Sequence, residues 1–128
     1  MQISEAESVV MEVLWQRSPL TSEEVVAAVA VTQQWQEATV KTLLNRLLNK
    51  GAIEAEKDGR RYLYRPRLRR EDWVMDESES RLSRLFDGRV APLVAHFSRH
   101  RKLSTEDIDE LRRLVEALDQ ENDDGRKR

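Results

Sequence analysis

The sequence predicts a mainly α-helical fold that contains one small β-hairpin. Apolar side chains recur every three or four residues along most of the 128-residue chain, which is typical of helices that pack through one face. Three segments begin with Ser or Thr followed three residues later by an acid, which indicates helix-capping boxes. Over residues 53–65 the spacing changes to two around an Asp-Gly pair, which predicts two strands and a tight turn.

Three helices are predicted before the hairpin. The first covers about residues 5–17, and the second covers about residues 21–30. The third, about residues 37–50, is the most regular, and Gly51 supplies the left-handed residue that commonly ends a helix. The apolar side chains of this third helix fall at i, i+3, i+4, i+7 and i+8, namely Val40, Leu43, Leu44, Leu47 and Leu48.

The hairpin follows directly. If Asp58 and Gly59 form its two-residue turn, the paired residues are Ile53 with Tyr64, Ala55 with Tyr62, Glu56 with Arg61, and Lys57 with Arg60. The two tyrosines then share one face with Ile53 and Ala55, and we expect that face to pack on the helices.

The remaining chain is predicted to be helical over about residues 71–87, residues 91–100 and a last helix behind Ser104, with residues 121–128 frayed. We therefore predict a domain of residues 1–70 and a helical dimerisation domain of residues 71–128. Such thin amphipathic helices bury too little apolar surface to be stable alone, so a symmetry mate is expected to cover them. The alternative is that the tail folds back on its own N-terminal domain. The candidate interface residues are Leu82, Leu85, Phe86, Leu93, Val94, Phe97, Ile108, Leu111, Val115 and Leu118.

Composition narrows the class of protein. There is no cysteine, which excludes disulfides, thiol redox chemistry and cysteine-ligated metals. No apolar run approaches the roughly 20 residues of a membrane helix, and the first ten residues lack the plan of a secretory signal. A cytoplasmic protein without a cofactor is the expectation.

Charge is distributed unevenly along the chain. Residues 1–37 carry a net charge of −5, residues 38–70 a net charge of +7, and residues 71–128 a net charge of −4. A cationic block between two acidic ones indicates a local surface for a polyanion, although random clustering on a charge-rich surface is the alternative.

Three helices followed by a hairpin, with a cationic third helix, form the plan of a winged helix-turn-helix, whose third helix enters the DNA major groove. Hydrogen-bonding and cationic side chains that could contact bases or phosphates there are Thr39, Lys41, Thr42, Asn45, Arg46 and Lys50. Thr42 suits a thymine methyl group or a phosphate equally well. On the hairpin, Lys57, Arg60 and Arg61 are predicted to contact the DNA backbone, although Arg61 could instead form a surface pair with Glu56.

Two other classes of function fit the sequence less well. An enzyme is not expected, because the sequence has no P-loop and no glycine-rich nucleotide motif. His96 and His100 are spaced i, i+4 and could share a metal, but the glutamate of a zinc-peptidase helix is missing between them, so no metal site is predicted. A winged helix that binds protein rather than DNA is the second alternative, and it would not need ten basic residues within 38–70.

Several segments resemble one family. The stretch TVKTLLNRLLNKGAI, preceded by Trp35 and followed by the hairpin KDGRRYLY, is similar to the penicillinase-repressor family of bacterial winged-helix regulators, which includes the methicillin-resistance and copper-responsive repressors. The segment from Glu7 to Trp15 and the segment from Ile108 to Leu118 also resemble that family. The resemblance covers about residues 4–118.

The resemblance implies a homodimer on a palindromic double-stranded DNA operator that represses antibiotic-resistance or stress genes. It also implies release by proteolysis in the C-terminal region, triggered by a membrane-bound sensor peptidase, with His96-Phe97 as the matching bond. The family's usual pair at this bond is Asn-Phe, and His96 replaces the asparagine. The copper-responsive branch carries a C-terminal cysteine cluster that this chain lacks.

Overall fold

The computed structural model describes the backbone of residues 1–126 and the side chains of residues 1–125. Within that range it contains six helices and one two-stranded antiparallel sheet, so the predicted mainly α-helical fold with a small hairpin is confirmed. The chain forms two compact units, residues 1–77 and the residues from Ser78 onward. None of the described helices is long and apolar enough to cross a membrane.

The elements in chain order are α1 (Glu5–Gln16), α2 (Ser22–Val29), α3 (Glu37–Lys50), β1 (Ile53–Asp58), β2 (Arg61–Pro66), α4 (Arg70–Phe86), α5 (Val90–Arg99) and α6 (Thr105–Arg126). The first five helices lie within about a residue of their predicted positions. The prediction that residues 121–128 are frayed was wrong as far as Arg126, since α6 continues to that residue. No proline or glycine lies between Leu118 and Gly125 to end the helix earlier. Residues 127–128 lie outside the described residues.

Reciprocal hydrogen bonds hold the predicted helix starts. At α1, Glu7 N donates to Ser4 Oγ at 3.1 Å, and Ser4 N donates to Glu7 Oε1 at 2.9 Å. Thr21 and Glu24 form the same box at α2, at 3.2 and 3.0 Å. These bonds satisfy amide groups that the first turn of a helix leaves without partners, so each start is fixed by local sequence.

The core of the first unit lies between α1, α2, α3 and the start of β1. Leu20, in the connection between α1 and α2, also pairs with Tyr64 of β2 through two backbone hydrogen bonds of 2.7 and 3.1 Å. The hairpin is therefore attached to the helices by backbone pairing as well as by packing. The buried apolar side chains of this core are Ile3, Val10, Met11, Leu14, Leu20, Val25, Val29, Val40, Leu43, Leu44, Leu47, Ala52 and Ile53.

The hairpin register differs from the predicted one by two residues. Gly59 and Arg60 form the turn, and Asp58 pairs with Arg61 as the last residue of β1. Gly59 has φ +65°, whereas Asp58 and Arg60 do not have positive φ values. An Asp58-Gly59 turn of type I′ needs positive φ at both residues, but placing glycine at the first turn position needs it at glycine alone. The observed register therefore has the turn in which only glycine takes a positive φ.

The observed pairs are Ile53 with Pro66, Glu54 with Arg65, Ala55 with Tyr64, Glu56 with Leu63, Lys57 with Tyr62, and Asp58 with Arg61. The predicted pairing of Lys57 with Arg60 was therefore wrong, as was that of Glu56 with Arg61. A shift of two residues keeps every side chain on its predicted face of the sheet. The burial of Tyr62 was also predicted wrongly, because its side chain is 50% exposed near the tip, whereas Tyr64 packs against the core.

The start of α4 belongs to the first unit. The rings of Trp15 and Trp73 are 5.4 Å apart, and Arg70 Nε donates to Glu12 Oε1 at 3.1 Å. The compact unit accordingly extends to Glu77, past the predicted division at residue 70. That division into a DNA-binding and a dimerisation domain is a statement about function, and it stays a prediction.

The second unit consists of the last part of α4 with α5 and α6. Ser104 and Asp107 form a reciprocal cap at the start of α6, with hydrogen bonds of 3.0 and 3.2 Å. No described side chain from residue 78 to residue 125 is buried. The unit therefore has secondary structure without an enclosed core.

Candidate nucleic-acid interface

Helix α3 has two chemically different sides. Its apolar stripe is buried against the core, except for Leu48, which is half-buried. The predicted contact residues on this helix all lie on the solvent side, and they are Thr39, Lys41, Thr42, Asn45, Arg46 and Lys50. Because the stripe fixes the rotation of the helix, packing of the core determines which side chains face outward.

Two of these side chains have partners within the helix. Lys41 Nζ lies 3.2 Å from Glu37 Oε1, one helical turn earlier, so the cationic side of α3 begins next to an acid. Thr42 Oγ1 donates to the carbonyl oxygen of Ala38 at 2.9 Å. Its oxygen lone pairs and its methyl group are still available to a ligand.

Thr39, Asn45 and Arg46 make no side-chain hydrogen bond or ion pair with any residue that the structure describes. An exposed guanidinium without an internal partner can bind a phosphate or a guanine edge through two parallel hydrogen bonds. We call the surface formed by Thr39, Lys41, Thr42, Asn45 and Arg46 the α3 face.

Lys50 occupies a different environment. Its ammonium donates to Glu7 Oε1 at 2.6 Å and to the carbonyl oxygen of Gln2 at 3.0 Å. Burial by itself raises the pKa of Glu7, but the hydrogen bonds from Lys50 and Ser4 outweigh it and lower the pKa below its ordinary value. Lys50 is thus bound to residues outside α3, whereas the partners of Lys41 and Thr42 lie within α3 itself.

The three predicted contact residues on the hairpin are all exposed, but they are not equivalent. Lys57 lies on the face that continues from the core, and Arg60 lies in the turn. Arg61 lies on the opposite face, directly across from Asp58. The alternative pair of Arg61 with Glu56 does not form, because Glu56 Oε2 accepts a hydrogen bond from Arg65 at 3.1 Å.

Acidic neighbours further distinguish Arg61. The hydrogen bonds from Thr21 lower the pKa of Glu24 at the start of α2, and the charges of Arg17 and Arg61 contribute to the same effect. Arg61 therefore lies close enough to Glu24 for its charge to affect that carboxyl group. Lys57 and Arg60 have no acid directly across from them in the hairpin, whereas Arg61 faces Asp58.

Sequence patterns did not identify Tyr62 as a candidate contact. An aromatic residue that alternates with a core position is usually buried, and this pattern assigned Tyr62 to the core. The signal that could have separated Tyr62 from Tyr64 is distance from the turn. A hairpin that extends past the helices leaves its last inward-facing pair uncovered.

The predicted dimer-interface residues are all exposed or half-buried, and Leu85 and Leu118 are exposed by 69% and 58%. His96 and Phe97, the predicted cleavage pair, are both exposed within α5.

The rings of His96 and His100 lie 4.6 Å apart. No group of three or more metal-binding side chains occurs among residues 1–125.

Comparison with known proteins gives one consistent result. The family model of the penicillinase repressor matches residues 3–117. The chain is 36% identical to a penicillinase repressor of Bacillus licheniformis over 115 residues, covering 90% of each protein. It is 27% identical to the methicillin resistance regulatory protein MecI of Staphylococcus aureus over 114 residues, covering 89% of this chain and 93% of that protein.

Solved structures agree with the sequence matches. The DNA-binding domain of the repressor BlaI aligns with a TM-score of 0.52 at 39% identity, covering 56% of this chain and 87% of that domain. Monomeric BlaI of Bacillus licheniformis in complex with the blaP half-operator aligns with a TM-score of 0.50 at 39% identity, covering 56% of this chain and 88% of that one. The chain therefore belongs to the penicillinase repressor family and is a DNA-binding transcriptional repressor of the winged-helix type.

Proposed function

We propose that this repressor binds a palindromic operator as a homodimer, with one winged helix on each half-site. The observation that carries the proposal is that the second unit has no enclosed core. None of its described side chains is buried, while Val115 and Leu118 of α6 are exposed by 56% and 58%. Burial of exposed apolar surface is the main favourable term in protein association, so a second copy of this unit supplies what one copy lacks.

The shape of the second unit supports the same proposal. A groove of about 320 Å³ runs between α5 and α6. Its lining is mostly apolar, and it consists of Leu93, Val94, Phe97, Leu103, Asp107, Glu110, Leu111 and Leu114. Apolar side chains from a second copy can fill such a groove, and several predicted interface residues line it.

Two-fold symmetry determines how such a dimer meets DNA. Two recognition helices bind successive major grooves when they lie about 34 Å apart, one turn of the duplex. In each half-site the α3 face enters the major groove, while Lys57 and Arg60 contact phosphates beside it. The protein acts by binding rather than by catalysis, and it uses no cofactor.

Sedimentation of the full chain tests the dimer directly. We expect a dimer at micromolar concentration, and we expect Val115→Asp with Leu118→Asp to yield a monomer whose first unit stays folded, because both charges would be buried in the interface. The matched control, Asp119→Asn on the same helix, should stay dimeric. A wild-type chain that sediments as a monomer while binding a palindromic operator tightly would refute the proposal.

DNA binding that depends on phosphate contacts must weaken as salt rises. Each neutralised phosphate contributes about −0.9 to the slope of log affinity against log salt concentration. A steep negative slope on random duplex DNA separates the repressor from a winged helix that binds protein alone. The similarity to repressors does not favour the latter, and absence of binding at low salt would overturn the DNA-binding reading of the α3 face.

We further propose that the regulated genes confer antibiotic resistance or a stress response, and that proteolysis at His96-Phe97 releases the operator. The names of the penicillinase and methicillin-resistance relatives support the first part. The exposure of His96 and Phe97 in α5 supports the second, since a cut there separates part of the proposed dimer surface from the DNA-binding unit. A membrane-bound sensor peptidase would provide the trigger. Sequencing genomic fragments retained by the purified protein identifies the regulated genes.

A further inference from the structure

The two faces of the hairpin differ in composition. The observed register assigns alternating residues to each face. The inner face, which continues from the buried core, consists of Ile53, Ala55, Lys57, Tyr62, Tyr64 and Pro66. The outer face consists of Glu54, Glu56, Asp58, Arg61, Leu63 and Arg65.

Along the inner face, side-chain exposure increases from the base of the hairpin to its tip. Ile53 is buried, Tyr64 is half-buried against the core, and Tyr62 is 50% exposed. Lys57, which pairs with Tyr62, is also exposed. An aromatic ring and an ammonium thus lie side by side on a surface that no described part of the chain covers.

Charge also separates the faces. The outer face carries three acids, and one of them, Glu56, pairs with Arg65 at 3.1 Å. The inner face carries no acid, and its tip adds the cation of Lys57 to that of Arg60 in the turn. With Arg61 and Arg65 counted, the outer face has a net charge of −1, whereas Lys57 and Arg60 make the inner side of the tip cationic. A strand of DNA backbone is therefore attracted more strongly to the inner side of the tip than to the outer face.

We propose that Tyr62 is a DNA-contacting residue, and that it and Lys57 together hold one segment of the DNA backbone against the inner face of the hairpin tip. The Lys57 ammonium pairs with a phosphate, the ring of Tyr62 packs on the adjacent deoxyribose, and its hydroxyl donates to a phosphate oxygen. Arg61, on the outer face across from Asp58, contributes less. This assignment rests on the DNA-binding function given above.

The experiment uses the full chain and a random-sequence DNA duplex, because backbone contacts do not depend on sequence. Affinity is measured over a range of salt concentrations for the wild type, Lys57→Ala, Tyr62→Ala, Tyr62→Phe and Arg61→Ala. Leu63→Ala is the matched control, since Leu63 adjoins Tyr62 on β2 but lies on the outer face. Thermal unfolding establishes that each variant is folded.

We expect Tyr62→Ala to weaken binding roughly tenfold, the size of a hydrogen bond to a charged group, without changing the salt slope because phenol is uncharged. Tyr62→Phe should lose part of that affinity, since only the hydroxyl is removed. Lys57→Ala should reduce the slope by about 0.9 per chain, and Arg61→Ala by clearly less. The double variant Lys57→Ala/Tyr62→Ala should lose less than the product of the single losses, because both groups hold one site.

Two outcomes overturn the assignment while leaving DNA binding intact: Tyr62→Ala that binds like the wild type, or Leu63→Ala that loses as much affinity as Tyr62→Ala. A wild-type chain that fails to bind any duplex at low salt is a different result. It overturns the DNA-binding function and the assignment of Tyr62 with it.

Discussion

The Nζ of Lys50 lies 2.6 Å from Oε1 of Glu7 and thereby joins the end of α3 to the first turn of α1. Glu7 is only 2% exposed, and its other oxygen, Oε2, has no hydrogen-bond partner among the described residues. The carboxylate serves two purposes, since the oxygen that binds Lys50 also accepts the amide hydrogen of Ser4. A side chain that the sequence pattern grouped with DNA contacts therefore anchors one helix of the core to another.

Replacing Lys50 by Ala should destabilise the folded protein by about 1–3 kcal/mol, because it leaves the buried Glu7 carboxylate without its cation. Water reaches part of the Lys50 side chain, so the loss should be smaller than for a fully buried pair. Chemical denaturation at one protein concentration measures the change. Arg46→Ala, an exposed cation on the same helix, is the control and should stay within about 0.5 kcal/mol of the wild type. Equal stability of the Lys50 and Arg46 variants would contradict this role.

Acid should remove the contribution of Glu7 to stability. The pKa of Glu7 in the folded state is lower than its ordinary value of 4.5, so the unfolded chain binds a proton more readily. The stabilisation is therefore complete above about pH 5 and is lost as the pH falls through the folded pKa. Urea unfolding of the wild type and of Glu7→Gln from about pH 6 to about pH 3 should show the difference in unfolding free energy shrinking. A difference that stays constant over this range would show that Glu7 does not titrate as described.

The α3 face and the hairpin should divide sequence preference from general affinity. Arg46→Ala should cost about 1–3 kcal/mol on the operator and relax the preference for one base pair, if Arg46 reaches a base edge. Arg60→Ala should weaken binding to all duplexes alike and lower the salt slope. Competition binding against single base-pair variants of the operator separates the two effects. Altered sequence preference in Arg60→Ala but not in Arg46→Ala would reverse the assignment.

The start of α4 should be needed for a stable first unit. A fragment of residues 1–77 keeps the Trp15–Trp73 contact at 5.4 Å, whereas a fragment of residues 1–70 loses it. We expect the longer fragment to be a folded monomer with poorer operator affinity than the full chain, and the shorter one to be less stable by about 2–4 kcal/mol. Unfolding followed by tryptophan fluorescence measures this difference. In the longer fragment, Trp73→Phe is the milder control, and equal stability of the two fragments would argue against a structural role for α4.

Proteolysis in α5 should require that the helix open locally. The His96-Phe97 bond lies inside α5, where the backbone is held by helical hydrogen bonds. We expect mass spectrometry of the repressor from induced cells to yield fragments ending at His96 and starting at Phe97, and we expect Phe97→Asp to prevent this cut. His100→Gln leaves the bond itself unchanged and serves as the control. An intact repressor in cells that express the regulated genes would exclude this route of release.

The sequence alone was enough to determine the order of the helices and strands, the starts of the capped helices and the exposed side of α3. Capping boxes, the apolar stripe of α3 and Gly51 at its end are local features, and a helix of fixed period turns them directly into buried and exposed sides. Exposure of Thr39, Asn45 and Arg46 follows from their spacing against the stripe. The resemblance to the penicillinase repressor family was likewise carried by short segments of sequence.

Tertiary structure decided which of those side chains have partners within the protein and which stay uncovered. Lys50 and Arg46 lie one turn apart on α3, but only Lys50 meets a carboxylate, because the first turn of α1 packs beside the end of α3. The hairpin register and the exposure of Tyr62 depended on which turn residue takes a positive φ and on how far the strands extend past the helices. Sequence periodicity fixes the face on which a residue lies, whereas its partners and its coverage come from segments that are distant in the chain.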